Sequence, residues 1–495
     1  MAICGNCIRL VGMTELSLGA RNSSSRPRIQ PADAEDHRPV SVSARLGRLQ
    51  FHASGKFRVL QLADIQDGPK VAGDTLKLIS AALDAVRPDV VVFTGNQIAG
   101  YNKAYSATYR RRRWDKDSPD QQVAGKSRNG LHGRSRTSVG VSAIDADKRA
   151  AANRARTTEL VRKCIGQFLQ PLVDRQIPWV VTYGNHDFQC GLSNGQLDDI
   201  YREFPGCLNP KSATGHEGEP NSMDRKHAAE GRQAEATKPL THAFAELPDQ
   251  EVFPCQPGTF ALPVMDEERQ RNVIGLVMLD SGDYAREGGA GSPDPAALAF
   301  LRQVPELMKT KSMVFQHFPI PQYYRLLTEV PATTARAVEG YRAFSGRSFI
   351  LDDTKTLPGS FLGEGISCPD RDSGEFDILK AKDGYFAMAA GHDHRNRFVG
   401  ELEGIMLAAT PTCGFGSYGP APTQCAARLF EFDIRHPYEP RTQPLTFGDL
   451  VGKPGTHKAY TYALNTTADA KGEAMDLLHK PSLLSRLLAK LHIRK

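Results

Sequence analysis

The chain of 495 residues contains no uninterrupted apolar run of about 18 residues, so no membrane-spanning helix is expected. Between Met1 and Leu18 the apolar stretches are broken by Asn6, Arg9, Thr14 and Glu15 before any small-residue cleavage pattern, so no secretion signal is expected either. Cysteine is sparse and irregular. Nine residues, an odd number, lie scattered from Cys4 to Cys425, which fits a reducing, cytoplasmic location better than a disulfide framework. Cys4 and Cys7 form a lone Cys-x-x-Cys without a second pair at zinc-finger spacing. No internal repeat is present, and collagen-like, coiled-coil and miniprotein compositions are excluded. What remains, at 40% hydrophobic and 24% charged residues, has the proportions of an ordinary globular protein.

The net charge of +6 is small and local. From Lys103 to Glu159 there are fourteen Lys and Arg against six Asp and Glu, a local excess larger than that of the whole chain. Within it, Arg110 to Arg113 followed by Trp114 could meet phosphate and a base. No nucleic-acid-binding signature accompanies them, so a solvated surface run is the favoured reading.

Residues 1–50, rich in Ser, Arg, Pro and Asp, read as a flexible leader. The domain is expected over 51–450. Phe57–Ala63 reads as a buried strand, Asp74–Val86 as a helix and Val90–Thr94 as a second strand, a βαβ unit that favours a parallel pair. Polar, glycine-rich insertions are placed at about 101–156 and 208–240. A helix at Thr158–Asp174 and a strand at Pro178–Thr182 resume the alternation. Further strands are expected at 259–264, 273–279, 312–316, 385–390, 405–409 and 428–434, with a helix at 295–309 among them. Residues 451–495 form a C-terminal extension, where Leu483, Leu484, Leu487, Leu488 and Leu491 share a helical face expected to dock on the body rather than touch a membrane. The fold class is α/β.

Five strand-like runs end in polar stations: Asp64-Ile65-Gln66-Asp67, Gly95-Asn96-Gln97, Gly184-Asn185-His186-Asp187, Gln316-His317-Phe318-Pro319 and Gly391-His392-Asp393-His394. An open α/β sheet places its ligand sites at such ends, and oxygen and imidazole donors on rigid strand ends are what a metal site needs. In His392-x-His394 the alternation of an extended chain lets both rings face one side. Each station alone has a bland reading, with Asp64 as a helix cap, His317 as a core histidine and Asn185 as a turn residue. Their joint order favours chemistry.

On these motifs the sequence resembles the calcineurin-like metallophosphoesterase superfamily, whose ordered signature is Asp-x-His, Gly-Asp, Gly-Asn-His-Asp/Glu, a single His, and Gly-His-x-His. The resemblance spans about Phe57 to Ala409, and its third and fifth motifs match in full. It implies a four-layer αββα sandwich holding two divalent metal ions among Mn, Fe, Zn or Mg, with manganese favoured. Asp64 and His394 would hold the first metal, and Asn185, His317 and His392 the second. His186 would sit beside the phosphate as a proton donor or transition-state stabiliser, with Asp187 also counted among the catalytic candidates. Gln66 stands where the family has a ligand histidine and Asn96 where an aspartate bridges both metals. Both are retained as metal-ligand candidates through their amide oxygens, though a neutral amide brings no bridging charge. Ala99 stands where purple acid phosphatases need a metal-binding tyrosine, so a purple centre is not expected. The implied activity is hydrolysis of a small phosphomonoester or phosphodiester by a metal-activated water. The alternatives are a degenerate binding or regulatory protein, and a nuclease of the same fold.

Overall fold

The computed structural model describes residues 39–113, 143–211 and 237–455. The first layers grow from the expected βαβ unit. Strand β1 (Lys56–Leu62) pairs in parallel with β2 (Val90–Thr94), and helix α2 (Gly73–Val86) crosses between them; a short helix, α1 (Val42–Leu46), precedes the unit. Helix α2 turns Leu78, Ile79, Ala82, Leu83 and Val86 inward, the spacing of one helical face. Asp67 holds its start by accepting from Ala72 N and Thr75 Oγ1, each at 3.1 Å. Next come α3 (Ala143–Asp174), β3 (Trp179–Thr182, parallel to β2) and α4 (Asn194–Tyr201).

A second sheet is assembled from β4 (Phe253–Gln256), β5 (Thr259–Met265), β6 (Asn272–Leu279) and β7 (Ser312–Gln316), with α5 (Pro295–Met308) crossing from β6 to β7. A small sheet follows, made of β8 (Leu327–Val330), β9 (Val338–Glu339) and β10 (Ser348–Leu351). Then come α6 (Glu375–Lys380), β11 (Tyr385–Ala390), β12 (Val399–Leu402), β13 (Ile405–Ala409), β14 (Ala426–Asp433), β15 (His436–Thr446) and α7 (Phe447–Leu450). The two large sheets run β15-β14-β1-β2-β3 and β12-β13-β11-β7-β6-β5-β4.

Alternation along the strands builds three apolar layers. Phe57, Val59, Val90 and Val92 meet Leu262, Leu276, Met313 and Phe315 between the sheets. Leu60 and Leu62 face Leu78, Ile165 and Phe168 of the helices on one side, and Val277 and Val314 face Leu301 and Val304 on the other. The architecture is the four-layer αββα sandwich.

The fold starts earlier than composition suggests. Ser41, Ser43, Leu49 and Phe51 are buried, so part of the expected leader belongs to the domain. The fastener is Asp89, whose Oδ1 accepts from His52 Nε2 at 2.7 Å and Ser43 Oγ at 3.1 Å while Oδ2 takes Arg58 N at 2.9 Å. Helix α3 begins fifteen residues before the expected Thr158, and residues 101–113 are packed chain rather than loose insertion, with Tyr105 fully buried. Strand β15 escapes sequence reading because it holds three prolines. It lies at a sheet edge, where a missing N–H is tolerated. Trp114, the Cys4–Cys7 pair and the C-terminal leucine stripe lie outside the described residues.

Candidate metal centre

Parallel strands deliver their carboxyl ends to one rim of the sandwich, and all five stations meet there. Asp64 N donates to Gly95 O at 3.2 Å and Gln66 N to Asn96 O at 2.8 Å, joining the first two. His317 Nδ1 bonds Thr94 O at 2.9 Å, and His392 N donates to Asp64 Oδ2 at 2.8 Å, joining the two sheets. Such close approach needs glycines. A Cβ on Gly95, which has φ +89°, would stand 2.6 Å from the His317 ring, and one on Gly184 would stand 2.3 Å from Asn96 Oδ1. Four non-glycine station residues, Asp64, Gln66, Asn96 and His392, also hold positive φ, from 47° to 70°. Backbone held in this sparsely populated region costs about 1 kcal/mol or more per residue and tends to gather at functional sites.

Proton placement shows where cations fit. His394 Nδ1 lies 2.7 Å from Tyr418 O and must donate to that carbonyl, which leaves Nε2 as a bare lone pair in the neutral ring. That lone pair faces Asp64 Oδ1 at 3.3 Å, an oxygen that is buried without a hydrogen-bond partner. Two acceptors facing each other across this gap suit an intervening positive ion. Asn185 Oδ1 and His392 Nδ1 stand 3.0 and 3.1 Å from His317 Nε2. Donors bound to one ion at about 2.1 Å are about 3.0 Å apart at adjacent octahedral corners, so this trio also has a ligand set's spacing. No three His, Cys, Asp or Glu side chains among the described residues form a metal group by themselves. Each half of the centre has two, and its other candidate donors are amides.

No family model matches the chain. It is 21% identical over 432 residues to "Probable inactive purple acid phosphatase 29" of Arabidopsis thaliana, covering 80% of this chain and 82% of that protein. Against "Probable inactive purple acid phosphatase 14" of the same plant it is 23% identical, covering 75% and 74%. "Phosphatase DCR2" of Saccharomyces cerevisiae is 25% identical over a shorter stretch, 34% of this chain and 22% of that one. These similarities to phosphatases accord with the resemblance to the calcineurin-like metallophosphoesterase superfamily.

Three candidate residues spend side-chain atoms on the protein itself. Asn96 does not present an open ligand atom: its Oδ1 accepts from His186 N at 2.8 Å and its Nδ2 donates to Asn185 Oδ1 at 3.0 Å. Flipping the amide would set oxygen against oxygen and N–H against N–H, so the network fixes its orientation. The Gln66 side-chain oxygen accepts from Ser417 Oγ at 2.5 Å, leaving one lone pair for any other partner. Asp187 is a fastener rather than a catalytic group. Its Oδ2 takes Asn96 N at 2.7 Å and Gly184 N at 2.8 Å, and its Oδ1 takes Ile98 N at 3.0 Å, so both oxygens are spent on backbone. Burial pushes its carboxyl up to about 7 against the pull of those N–H groups.

His186 stands at the mouth. Its ring is only half-buried, with Nδ1 held by Gln189 Oε1 at 2.8 Å and Nε2 accepting from Asn185 Nδ2 at 3.5 Å. Burial pushes its pKa down to about 4, partly countered by the Gln189 bond, so the resting ring is neutral. Tyr101 packs edge-on against it at 4.9 Å and Tyr284 at 6.2 Å. The arginine run is divided, with Arg111 exposed to solvent and Arg112 and Arg113 reaching this wall. Arg112, 8% exposed, lies 3.8 Å over the Tyr284 ring, Arg113 grips Asp280 with both guanidinium nitrogens at 2.9 and 3.2 Å, and Arg111 O accepts from Gln189 Nε2 at 3.2 Å. Beside them a cavity of ≈ 370 Å³ is lined by Arg113, Asp280, Tyr284, Arg286 and Asp294 among others. Gln189, Tyr284, Ser417 and Tyr418, which stacks on His394 at 4.1 Å, carry no motif; only the Gly414–Gly416 spacing hints that the loop bearing the last two runs close to another segment.

Proposed function

We propose that the chain is a metal-dependent phosphoesterase acting slowly on a small phosphoester at this rim. The observation that carries the reading is the pair of facing lone pairs on Asp64 Oδ1 and His394 Nε2 beside the half-exposed His186 ring. A bound cation would supply Lewis-acid stabilisation of phosphoryl oxygens and a water of lowered pKa. The chain's own groups do the rest. Asn185 orients His186 from one side and Gln189 from the other, while Tyr101 and Tyr284 shield the ring from water. Phosphoryl charge arriving beside the imidazole favours its protonated form, so His186 takes up a proton with the ligand and presents an N–H to the developing charge. The commitment of Arg113 to Asp280 and of Arg112 to Tyr284 favours a small substrate over a nucleic-acid strand. All seven described cysteines are free thiols, which suits a cytoplasmic location, and no helix among the described residues is long and apolar enough to cross a membrane.

A second reading, a phosphoester-binding protein without turnover, is favoured by the Asn96 hydrogen bonds and by the word "inactive" in two relatives' names. Hydrolysis of p-nitrophenyl phosphate and bis-p-nitrophenyl phosphate with added manganese separates the two. Wild-type turnover is expected to exceed that of His186→Ala by about 10²-fold or more, the usual contribution of a positioned proton-transfer group. Equal rates for the two proteins on both substrates would leave the binding reading.

A further inference from the structure

The loop that follows β13 crosses from the second sheet to the first on its way to β14, and it passes along the rim. It touches Asp64, Gln66 and His394 in turn. Thr412 Oγ1 donates to Asp64 O at 2.6 Å and Cys413 N to Ala63 O at 2.9 Å, which ties down the backbone of the first station. Ser417 Oγ donates to the Gln66 side-chain oxygen at 2.5 Å, and Tyr418 O accepts from His394 Nδ1 at 2.7 Å. Glycine makes the approach possible: a Cβ on Gly414 would stand 1.9 Å from Ile65 O, and one on Gly416 would stand 2.1 Å from Asp67 Oδ1.

Tyr418 holds the His394 ring twice. Its carbonyl fixes the direction of the imidazole within its plane, and its own ring lies against the imidazole face, 4.1 Å between centroids and 7° between planes, which fixes the plane itself. An imidazole held at one edge and one face has one direction left for Nε2, and here that direction brings it to 3.3 Å from Asp64 Oδ1. The tyrosine is anchored in turn. Its hydroxyl donates to Glu364 Oε1 at 3.4 Å, and the same oxygen accepts from the N–H of Arg395, the residue after His394, at 2.9 Å. The contacts thus close a circuit from His394 through Tyr418 and Glu364 back to the chain beside His394. A metal-binding histidine depends on such outer partners for its orientation, and losing one typically costs about 10–100-fold in metal affinity.

We propose that Tyr418 is a positioning residue for a cation held by Asp64 and His394, acting through the plane of the His394 ring. This rests on the metal-centre reading of the site but not on hydrolysis. The test is manganese affinity: full-length protein is stripped with chelator and titrated with manganese, the free ion being read by its paramagnetic resonance signal. The binding step lost in Asp64→Asn, or in His394→Gln if that chain does not fold, marks this half of the centre. Tyr418→Leu keeps the carbonyl and loses the ring, and is expected to weaken that step by about tenfold or more. Tyr418→Phe keeps the ring and loses only the hydroxyl, and is expected to stay close to wild type. Thermal melts of the stripped proteins establish folding, and Tyr418→Met takes the place of Tyr418→Leu if the latter is unfolded. A merely structural role would lower the melting temperature without singling out the step that Asp64→Asn removes. Wild-type affinity on that step in the folded ring-deleted variant overturns the inference, as does a loss in Tyr418→Phe equal to that in Tyr418→Leu. A wild-type chain that binds no manganese removes the metal-centre reading and the inference with it, whereas one that binds manganese, responds as expected to the variants and hydrolyses nothing sustains the inference and removes only the hydrolase reading.

Discussion

Asn96→Asp is expected to raise manganese-dependent hydrolysis of bis-p-nitrophenyl phosphate by about 10²-fold, the equivalent of about 2.7 kcal/mol of transition-state stabilisation. The substitution changes one atom's chemistry and leaves the backbone alone, because the carboxylate can still accept from His186 N as Asn96 Oδ1 does at 2.8 Å. The second oxygen replaces an N–H that now donates to Asn185 Oδ1. Without metal, that oxygen would face another acceptor at about the same spacing. The stripped variant should therefore melt below stripped wild type, and metal should raise its melting temperature more than it raises the wild type's, since a ligand bound only to the folded form adds its binding free energy to stability. A variant that gains a second manganese without gaining rate would show that charge at position 96 governs occupancy but not turnover.

Asp187→Ala is expected to cost about 3–5 kcal/mol of stability and to abolish hydrolysis together with it. Removing the carboxylate leaves the N–H groups of Gly184, Asn96 and Ile98 without their partner in a fully buried position, and a stranded buried donor costs about 1–3 kcal/mol. Those groups flank the loops that carry Asn96 and Asn185, so the damage falls on both halves of the site. Asp187→Asn should lose much of the same stability, because one side of the amide would point N–H at N–H. Urea midpoints of the three proteins check this. A midpoint for Asp187→Ala equal to wild type, with activity lost, would falsify the fastening role and return the residue to the catalytic list.

Much of the fold was legible because buried parallel strands read as short apolar runs between punctuating residues. Strands β1, β2, β7, β11 and β13 lie within a residue of their expected bounds. The stations followed, since chemistry-bearing residues just after such runs had to share one rim. Less visible was what each side chain spends its atoms on. Asp187 and Asn185 are neighbours in one motif, yet one faces backbone and the other faces the centre, a difference set by the local turn rather than by composition. Arg112 and Arg113 read as solvated charge because their partners, Tyr284 and Asp280, lie more than 160 residues along the chain. The start of helix α3 was hidden because its first turns, rich in alanine and charge, carry little large-apolar periodicity.

The left-handed backbone at Asn96 also constrains how this site can change over time. At φ 53° a β-branched or bulky residue is strained, whereas asparagine and aspartate are the side chains that tolerate this region best after glycine. Exchange between those two therefore requires no backbone movement in either direction. A chain that makes this exchange keeps the backbone of its loops, its glycines and its other donors. Position 96 therefore stays one exchange from a charged form for as long as the strained turn persists.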